Sequence, residues 1–383
     1  MVKNYFVCLV FLLAGFAGRV DAQNISVYAG RSTCLYDKRY YPDLYGENVA
    51  PSFVTLDAKL GWTDNSSSPF ASICKHPEIG IGFQFDGIGS AKALNGPGLG
   101  NIYSLYGYID RPVVKWGGFS LGYSAELGLG FVFDRRFDPD KNPWNVVISS
   151  PANAHFSLGV QAQYAFLSRY DVGLGFFFNH HSNGAITYPN YGLNSFDLAL
   201  RVGMKSPRSK EELALQPEDD GFKRGFQFAV QFSGGVVSNN ANYKKRMQED
   251  GTWVNDRYSK FAFQVNAFYR YLRTQASGLG FDVFVTPFCD KIAECDGQGV
   301  KYNPVSIGIS ILHEMSYRHF SLMVGVGRYL YDNDGIEPTQ VLYQLVTAKY
   351  YFPQMADTYL GVVLKAHKFK NAESVQLCLG KRF

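Results

Sequence analysis

The sequence predicts an all-β protein, an antiparallel transmembrane β-barrel fold with about eight strands in each half of the chain. Three observations support this prediction. Apolar residues alternate with small or polar ones in many stretches, the connections between these stretches are alternately long and short, and the 383 residues include 39 Gly, 31 Phe and 26 Tyr. Aromatic residues form the girdles of membrane barrels, and glycine suits their crowded interiors. A soluble secreted β protein would share this composition, so composition alone leaves both classes open.

Residues 1–22 have the pattern of a secretory signal peptide. Lys3 supplies a positive charge, residues 6–16 form an apolar run that is too short to span a bilayer, and Ala22 ends a small-residue cleavage site. The rest of the chain offers no continuous run of about 18 apolar residues, so we predict no transmembrane helix. The formal net charge of +4 gives no indication of nucleic acid binding. We therefore expect an exported protein.

The clearest alternation covers residues 119–133. Successive side chains of a β-strand point to opposite faces, so this segment has one apolar face and one small, polar face. A barrel in lipid has its apolar face outside and its polar face inside, and the sequence fits this inverted arrangement. A similar pattern closes the chain at Phe383 and resembles the terminal strand of outer-membrane barrels. The apolar face comprises Phe119, Leu121, Tyr123, Ala125, Leu127, Leu129, Phe131 and Phe133, and the other face comprises Ser120, Gly122, Ser124, Glu126, Gly128 and Gly130.

The chain divides into two similar halves. Residues 206–221, which contain Pro207, Pro217 and charges of both signs, predict a linker between residues 23–205 and residues 222–383. Residues 174–178 and 360–364 occupy corresponding places near the ends of the two halves, which indicates duplication of an eight-stranded unit. One large barrel and two small tandem barrels both remain open. Long connections are predicted at 86–101, 135–153, 183–193, 237–260 and 288–303, and barrels place such loops outside the cell. Residues 63–77 are the exception, because the alternation of long and short connections predicts a short connection at this place.

Disulfides persist in exported proteins, and five cysteines remain after the predicted signal peptide. Cys289 and Cys295 bracket a loop and form the favoured pair. Cys34 with Cys74 is a weaker choice, and Cys378 is expected to stay unpaired on a strand. Their spacing does not indicate a metal site.

One strand end breaks the apolar outer face with polar residues. His180 and Ser182 continue the lipid-facing parity of Val172, Leu174, Phe176 and Phe178, and on the returning strand Asn194 shares the face of Phe196, Leu198, Leu200 and Val202. Polar side chains facing lipid are costly and usually functional. The loop lengths place this site at the extracellular end, level with the outer leaflet.

These residue types suit acyl transfer. A serine hydroxyl becomes nucleophilic when an imidazole removes its proton and a third group orients that imidazole. Ser182 is the candidate nucleophile, His180 the base and Asn194 the orienting group. Oxyanion stabilisation and substrate positioning fall to the following loop, with Asn183, Asn190 and Gly184 as candidates.

This segment resembles the lipid A 3-O-deacylases of the PagL type, an acyloxyacyl hydrolase-like family. That family has a His-x-Ser-Asn strand end, a Pro-Asn-x-Gly loop and an acidic residue opening the last strand. The matching positions here are His180, Ser182, Asn183, Pro189, Asn190, Gly192 and Asn194. The resemblance implies an eight-stranded barrel over residues 23–205, with Ser182 as nucleophile, His180 as base, Asn190 near the oxyanion and the site on the outer wall.

The chain departs from the family pattern in two ways. Asn194 stands where the family has an acid, and an amide orients an imidazole without stabilising its positive charge. In the second half, Ala366 and Lys368 stand at the positions of His180 and Ser182. We therefore expect residues 222–383 to be catalytically empty.

The sequence thus predicts a lipid A deacylase, an esterase in the outer membrane of a Gram-negative bacterium, acting on lipopolysaccharide without metal or cofactor. Phospholipid substrates and a homodimer remain open, and the alternative function is a non-catalytic barrel or pore with a decayed site. A metal shared by His180 and His181 is disfavoured, since adjacent strand residues point to opposite faces. His155 and Ser157 repeat the His-x-Ser spacing but are expected inside the barrel. The glycine-rich residues 95–100 are explained by turns and not by phosphate binding.

Overall fold

The computed structural model describes residues 24–39, 41–166, 169–205, 221–297, 299–336, 340–368 and 371–383. The predicted signal peptide and all but the last residue of the predicted linker lie outside these ranges. The described chain forms two closed barrels, each of eight antiparallel strands. The prediction of an antiparallel barrel fold is confirmed, and the choice left open by the sequence is decided in favour of two barrels.

Each strand pairs with its neighbour in sequence, and the last strand of each barrel closes on the first. The first barrel contains β1 Asn24–Cys34, β2 Ser52–Thr63, β3 Glu78–Asp86, β4 Ile102–Trp116, β5 Phe119–Phe131, β6 Ala152–Phe166, β7 Tyr170–Ser182 and β8 Leu193–Lys205. The second contains β9 Gly225–Ser238, β10 Arg257–Leu272, β11 Gln275–Val285, β12 Val305–Tyr317, β13 Phe320–Tyr331, β14 Leu342–Phe352, β15 Thr358–His367 and β16 Asn371–Arg382.

Short helices occupy some of the connections. They are α1 Tyr41–Tyr45, α2 Pro69–Ile73, α3 Asn240–Glu249 and α4 Cys289–Asp296, with single 3-10 turns at Ile88–Ser90 and Pro353–Met355. None of the helices in the described ranges is long and apolar enough to cross a membrane. The predicted long connections all lie at one end of their barrel, where odd-numbered strands end. The unexpectedly long connection at 63–77 lies at the other end and contains α2.

The walls of the barrels are apolar outside and polar inside. Along β5, Leu127 and Leu129 are about half exposed, at 49% and 52%, whereas Ser124 and Glu126 are buried. This is the inverted pattern that the alternation predicted, and it is the pattern of a barrel in lipid.

The barrel interiors are filled by charged side chains that neutralise one another. In the first barrel, the Lys59 ammonium lies 2.7 Å from a Glu126 carboxylate oxygen and 3.5 Å from one of Asp110. In the second, Glu373 contacts both Lys260 and Lys365. Because a buried charge is costly without a partner, these clusters connect strands that are not neighbours in the sheet, β2 with β5 in the first barrel and β10 with β16 in the second.

The predicted disulfides are wrong, because Cys34, Cys74, Cys289, Cys295 and Cys378 are all free thiols. The favoured pair lies on the single helix α4 at positions six residues apart. Six residues of α-helix rise about 9 Å, and a disulfide needs Cα atoms within about 7 Å. The other pair lies at opposite ends of the first barrel, one cysteine ending β1 and the other following α2.

By chain contacts the molecule divides into two compact units. The first comprises the described residues up to Ser182 together with those of 191–219, and the second comprises Asn183–Asn190 and the described residues from 221 onwards. The loop after β7 is therefore grouped with the second unit, a division that sequence periodicity did not predict.

Candidate active site

Strands β7 and β8 position the three polar residues that the sequence singled out. The two strands are antiparallel neighbours, and His180 is paired in register with Asn194. Two positions earlier on the same face of β7, Phe178 is half-buried, and Phe176 is 47% exposed. The outward parity predicted for His180 therefore holds in the structure.

The three side chains form a continuous hydrogen-bonded chain. His180 Nδ1 lies 2.7 Å from Asn194 Oδ1, and His180 Nε2 lies 2.9 Å from Ser182 Oγ. With the amide oxygen facing the ring, Nδ1 must carry the hydrogen and donate it, because a carbonyl oxygen only accepts. Nε2 is then the free base, and the Ser182 hydroxyl donates to it. This is the arrangement that activates a serine nucleophile.

Ser182 is covered more closely than its outward parity alone suggests. His180 and Asn194 are half-buried, but only 6% of the Ser182 surface is exposed. Gly192, with a φ of +72°, lies over the site, and a Cβ added to it would stand 3.3 Å from both Ser182 Cβ and His180 Cε1. The Gly192 N–H is held at this position by the Val147 carbonyl, 3.1 Å away. Sequence analysis missed this steric role, although the Pro-Asn-x-Gly motif contained the residue.

The loop after Ser182 holds the other candidate residues. The backbone N–H of Asn183 donates to Asn190 Oδ1 at 3.2 Å, so the Asn190 side chain lies beside the residue that follows the nucleophile. The Asn183 side chain points into the loop instead, where its amide donates to the Thr187 carbonyl at 3.0 Å. Gly184 has a φ of +63°, a conformation that favours glycine. Both polar groups of Asn183 are thus engaged within the loop, the backbone N–H with Asn190 and the side chain with Thr187.

The inner face of the barrel wall behind the site is lined by buried polar residues. His181 and His155 are buried, with His181 Nε2 2.9 Å from His155 Nδ1, and Ser157 and Asp197 are also buried. The inward placement predicted for His155 and Ser157 is confirmed, and His181 points to the face opposite to that of His180. Within the described part of the chain, no group of three or more His, Cys, Asp or Glu side chains could hold a metal ion.

The second barrel has different residues at the corresponding place. Near the end of β15, the positions matching His180 and Ser182 hold Ala366 and Lys368. The match to His181 is His367, which is buried and lies 3.1 Å from the Tyr329 hydroxyl through Nε2. The two barrels thus share an interior histidine at this level, where the serine–histidine pair stands in the first barrel alone among the described residues. The second barrel has a separate serine–histidine contact near its opposite end, where Ser277 Oγ lies 3.0 Å from His313 Nδ1 across β11 and β12.

Comparison with known proteins adds a family match. Residues 226–383, which begin in β9 and run to the end of the chain, match the model described as acyloxyacyl hydrolase, C-terminal domain. No curated protein matches the chain. This match supports the PagL-like family that the first-barrel motif indicated, and it covers the second barrel.

Solved barrel structures also align with the chain. Neisserial surface protein A is 12% identical over 48% of this chain and 96% of its own, with a TM-score of 0.31. The outer membrane enzyme PagL is 16% identical over 48% of this chain and 99% of its own, with a TM-score of 0.28. A mutant porin from Rh. blastica is 9% identical over 94% of this chain and 99% of its own, with a TM-score of 0.18.

Proposed function

Since residues 226–383 match an acyloxyacyl hydrolase domain and the first barrel carries the PagL-like motif, we propose that the protein is an outer-membrane esterase that hydrolyses an ester-linked acyl chain of lipid A. The observation that carries this proposal is the hydrogen-bonded chain from Asn194 through His180 to Ser182 on the outward face of the first barrel. An ester in the outer leaflet reaches this face directly from the membrane. The second barrel, which has Ala366 and Lys368 at the positions of His180 and Ser182, serves a non-catalytic role.

The reaction follows from the geometry of the three residues. As Ser182 Oγ attacks the ester carbonyl carbon, its proton passes to His180 Nε2. The tetrahedral intermediate collapses by breaking the bond to the alkoxy oxygen of the ester, which takes the proton from His180. A water molecule then attacks the acyl-serine with His180 again as base, which releases the fatty acid and regenerates Ser182.

The loop after β7 completes the site by stabilising negative charge. The carbonyl oxygen becomes an oxyanion next to the backbone N–H of Asn183, the first donor after the nucleophile, and it takes the place that Asn190 Oδ1 occupies as acceptor of this N–H in the structure. Asn190 and the backbone of Gly184 are the further candidates for binding the oxyanion or positioning the substrate. Donors fixed in advance toward such an oxygen stabilise the transition state at no reorganisation cost.

The proposal is tested by expressing the full chain in a Gram-negative host whose lipid A is fully acylated. We expect mass spectrometry of extracted lipid A to show loss of one acyl chain with the native sequence. Ser182→Ala should restore the full acylation pattern, with the barrel present in outer-membrane fractions in equal amount. Identical lipid A with and without the native protein would overturn the proposal.

A non-catalytic barrel is the second candidate, and the amide at position 194 favours it, because the charge that would stabilise an imidazolium is missing. Pore function is a separate outcome. Planar-bilayer recordings that show stable conductance, together with unchanged lipid A, would select it. The buried Lys59 and its carboxylate partners crossing the first barrel make low conductance the expected result.

A further inference from the structure

Arg31 presents a guanidinium on the lipid-facing wall of the first barrel. It lies on β1 at the outward parity, and its side chain is exposed. Its partners in register are Leu198 on β8 and Val54 on β2, which are 60% and 40% exposed. A charged side chain therefore stands between two apolar residues that face lipid.

Among the residues that the structure describes, none forms a hydrogen bond or an ion pair with Arg31. The other arginines in the strands of this barrel have partners. Arg201 points inward and contacts Asp171, and Arg111, at the opposite end of the outer wall, donates to the Tyr123 hydroxyl at 3.1 Å. A charge on a lipid-facing wall is costly, and such residues usually serve a function. Arg31 is thus a cation available to a partner outside the protein.

One polar outward side chain, that of Thr33, lies between Arg31 and the level of Asn194. The backbone N–H of Leu35, just beyond β1, donates to the Asn194 carbonyl at 2.8 Å. Below it on the outward face, the Thr33 hydroxyl lies 2.8 Å from that of Ser52, and Arg31 follows two residues further down. His180 lies two strands away from β1, and its partner Asn194 lies four residues along β8 from Leu198, the partner of Arg31. About 10 Å across the strands and about 13 Å along them therefore separate the two positions on the wall. The same rim also carries aromatic outward side chains, which include Phe85, Tyr103, Phe131 and Phe133.

We propose that Arg31 binds a phosphate in the headgroup of the lipid whose ester lies at Ser182. This inference rests on the proposed esterase function and makes its substrate class a phosphate-bearing lipid. The apolar stem of arginine lies along the wall while the guanidinium rises toward the headgroups, and its planar fork matches a phosphate with two parallel hydrogen bonds. Arg39, in the loop above β1, is less suited because Asp37 already neutralises it.

The second barrel offers a matched control. Arg328 is also exposed on an outward-facing position, three residues before the end of β13, just as Arg31 stands three residues before the end of β1. It too has no hydrogen bond or ion pair to any described residue. Its partners in register are the apolar Ile309 and Leu342, and the His313 that contacts Ser277 lies four residues further along β12. Loss of Arg328 therefore removes a lipid-facing cation without touching Ser182 or His180.

The test compares two substrates with purified full-length protein in detergent micelles, namely lipid A and the same lipid A after enzymatic removal of its phosphates. We expect Arg31→Gln to lower kcat/KM for phosphorylated lipid A by about 10- to 100-fold, the range of one charge-assisted hydrogen-bonded pair. The rate on the dephosphorylated lipid should stay the same, Arg31→Lys should recover part of the loss, and Arg328→Gln should behave as the native sequence. Equal losses on both substrates, or no loss, would overturn the proposal.

A binding measurement separates this proposal from the proposed function. Native mass spectrometry of Ser182→Ala, with and without Arg31→Gln, would measure retention of intact lipid A, of dephosphorylated lipid A and of phosphatidylglycerol. Weaker retention of the phosphorylated lipids alone on loss of Arg31 supports the subsite even if the native protein shows no turnover. If Arg31→Gln leaves the retention of the phosphorylated lipids unchanged, the subsite is refuted even if turnover is high. If inorganic phosphate at millimolar concentration competes with the lipid, free phosphate also fills the site. If it does not compete, the site requires a phosphate that is carried by a lipid.

Discussion

Replacing Asn194 by aspartate should make the proposed enzyme faster. The two side chains have the same shape, so the 2.7 Å contact with His180 Nδ1 is preserved. The change adds a negative charge next to the ring that becomes positive when it takes the Ser182 proton. Because that positive charge develops on the way to the transition state, the added interaction should raise kcat more than it changes KM.

The size of the effect follows from the contact. A hydrogen bond to a charged group contributes about 1.5–3 kcal/mol and a neutral one about 0.5–1.5 kcal/mol, so the gain is about 1–1.5 kcal/mol, or roughly tenfold in rate. Two unit charges about 4 Å apart at an effective dielectric constant of about 20 interact by about 4 kcal/mol, which sets an upper limit near a thousandfold. Asn194 is half-buried, so solvent screening favours the lower figure.

The assay is the time course of fatty acid release from lipid A by purified Asn194→Asp, followed by mass spectrometry beside the native sequence. Asn194→Ala should be slower than both, because nothing then orients His180, and Ser182→Ala combined with Asn194→Asp should be inactive. A rate for Asn194→Asp at or below that of the native protein, with Ser182 still required, would refute the reasoning that the imidazolium lacks a counter-charge.

Three further predictions concern the site, the interior and the thiols. Gly192→Val should abolish deacylation by filling the space over Ser182 and straining a backbone at positive φ, and circular dichroism should show an unchanged strand content; full activity would contradict the steric role of this glycine. Lys59→Met should lower the free energy of unfolding in urea by about 3–5 kcal/mol, because Glu126 then lies buried without its cation; a change under about 1 kcal/mol would show that the cluster is not structural. Thiol titration of protein denatured without reductant should find Cys289 and Cys295 both reduced, and a mass loss of two hydrogens across them would contradict the helical placement.

The sequence predicted those features that depend on side-chain parity. Alternation along β5 gave the apolar exterior and polar interior, and the continuation of parity from Phe176 to His180 placed the histidine on the outer face. Parity is a strictly local property, because a strand cannot shift one residue without turning every side chain to the opposite face. The pairing of His180 with Asn194 followed from the short span between the two strands.

Features that depend on distant parts of the chain were not predictable in the same way. Whether the sheet closes after eight strands or sixteen depends on whether β8 pairs with β1 or with β9. The residue pattern of β8 does not distinguish these two pairings. The pairing of Cys289 with Cys295 failed because a short helix was taken for an extended loop. The cover over Ser182 depends on Gly192 being held by Val147 from another loop, a contact that spacing does not reveal.

The ion clusters inside the barrels have a consequence for how each barrel forms. Lys59 lies on β2 and Glu126 on β5, and in a flat sheet these strands would stand three spacings apart, about 14 Å. Their contact exists only once the sheet has curled. A half-formed sheet entering the bilayer would carry these charges unneutralised, so insertion and closure are thermodynamically coupled, and the two barrels each reach the membrane interior as finished cylinders.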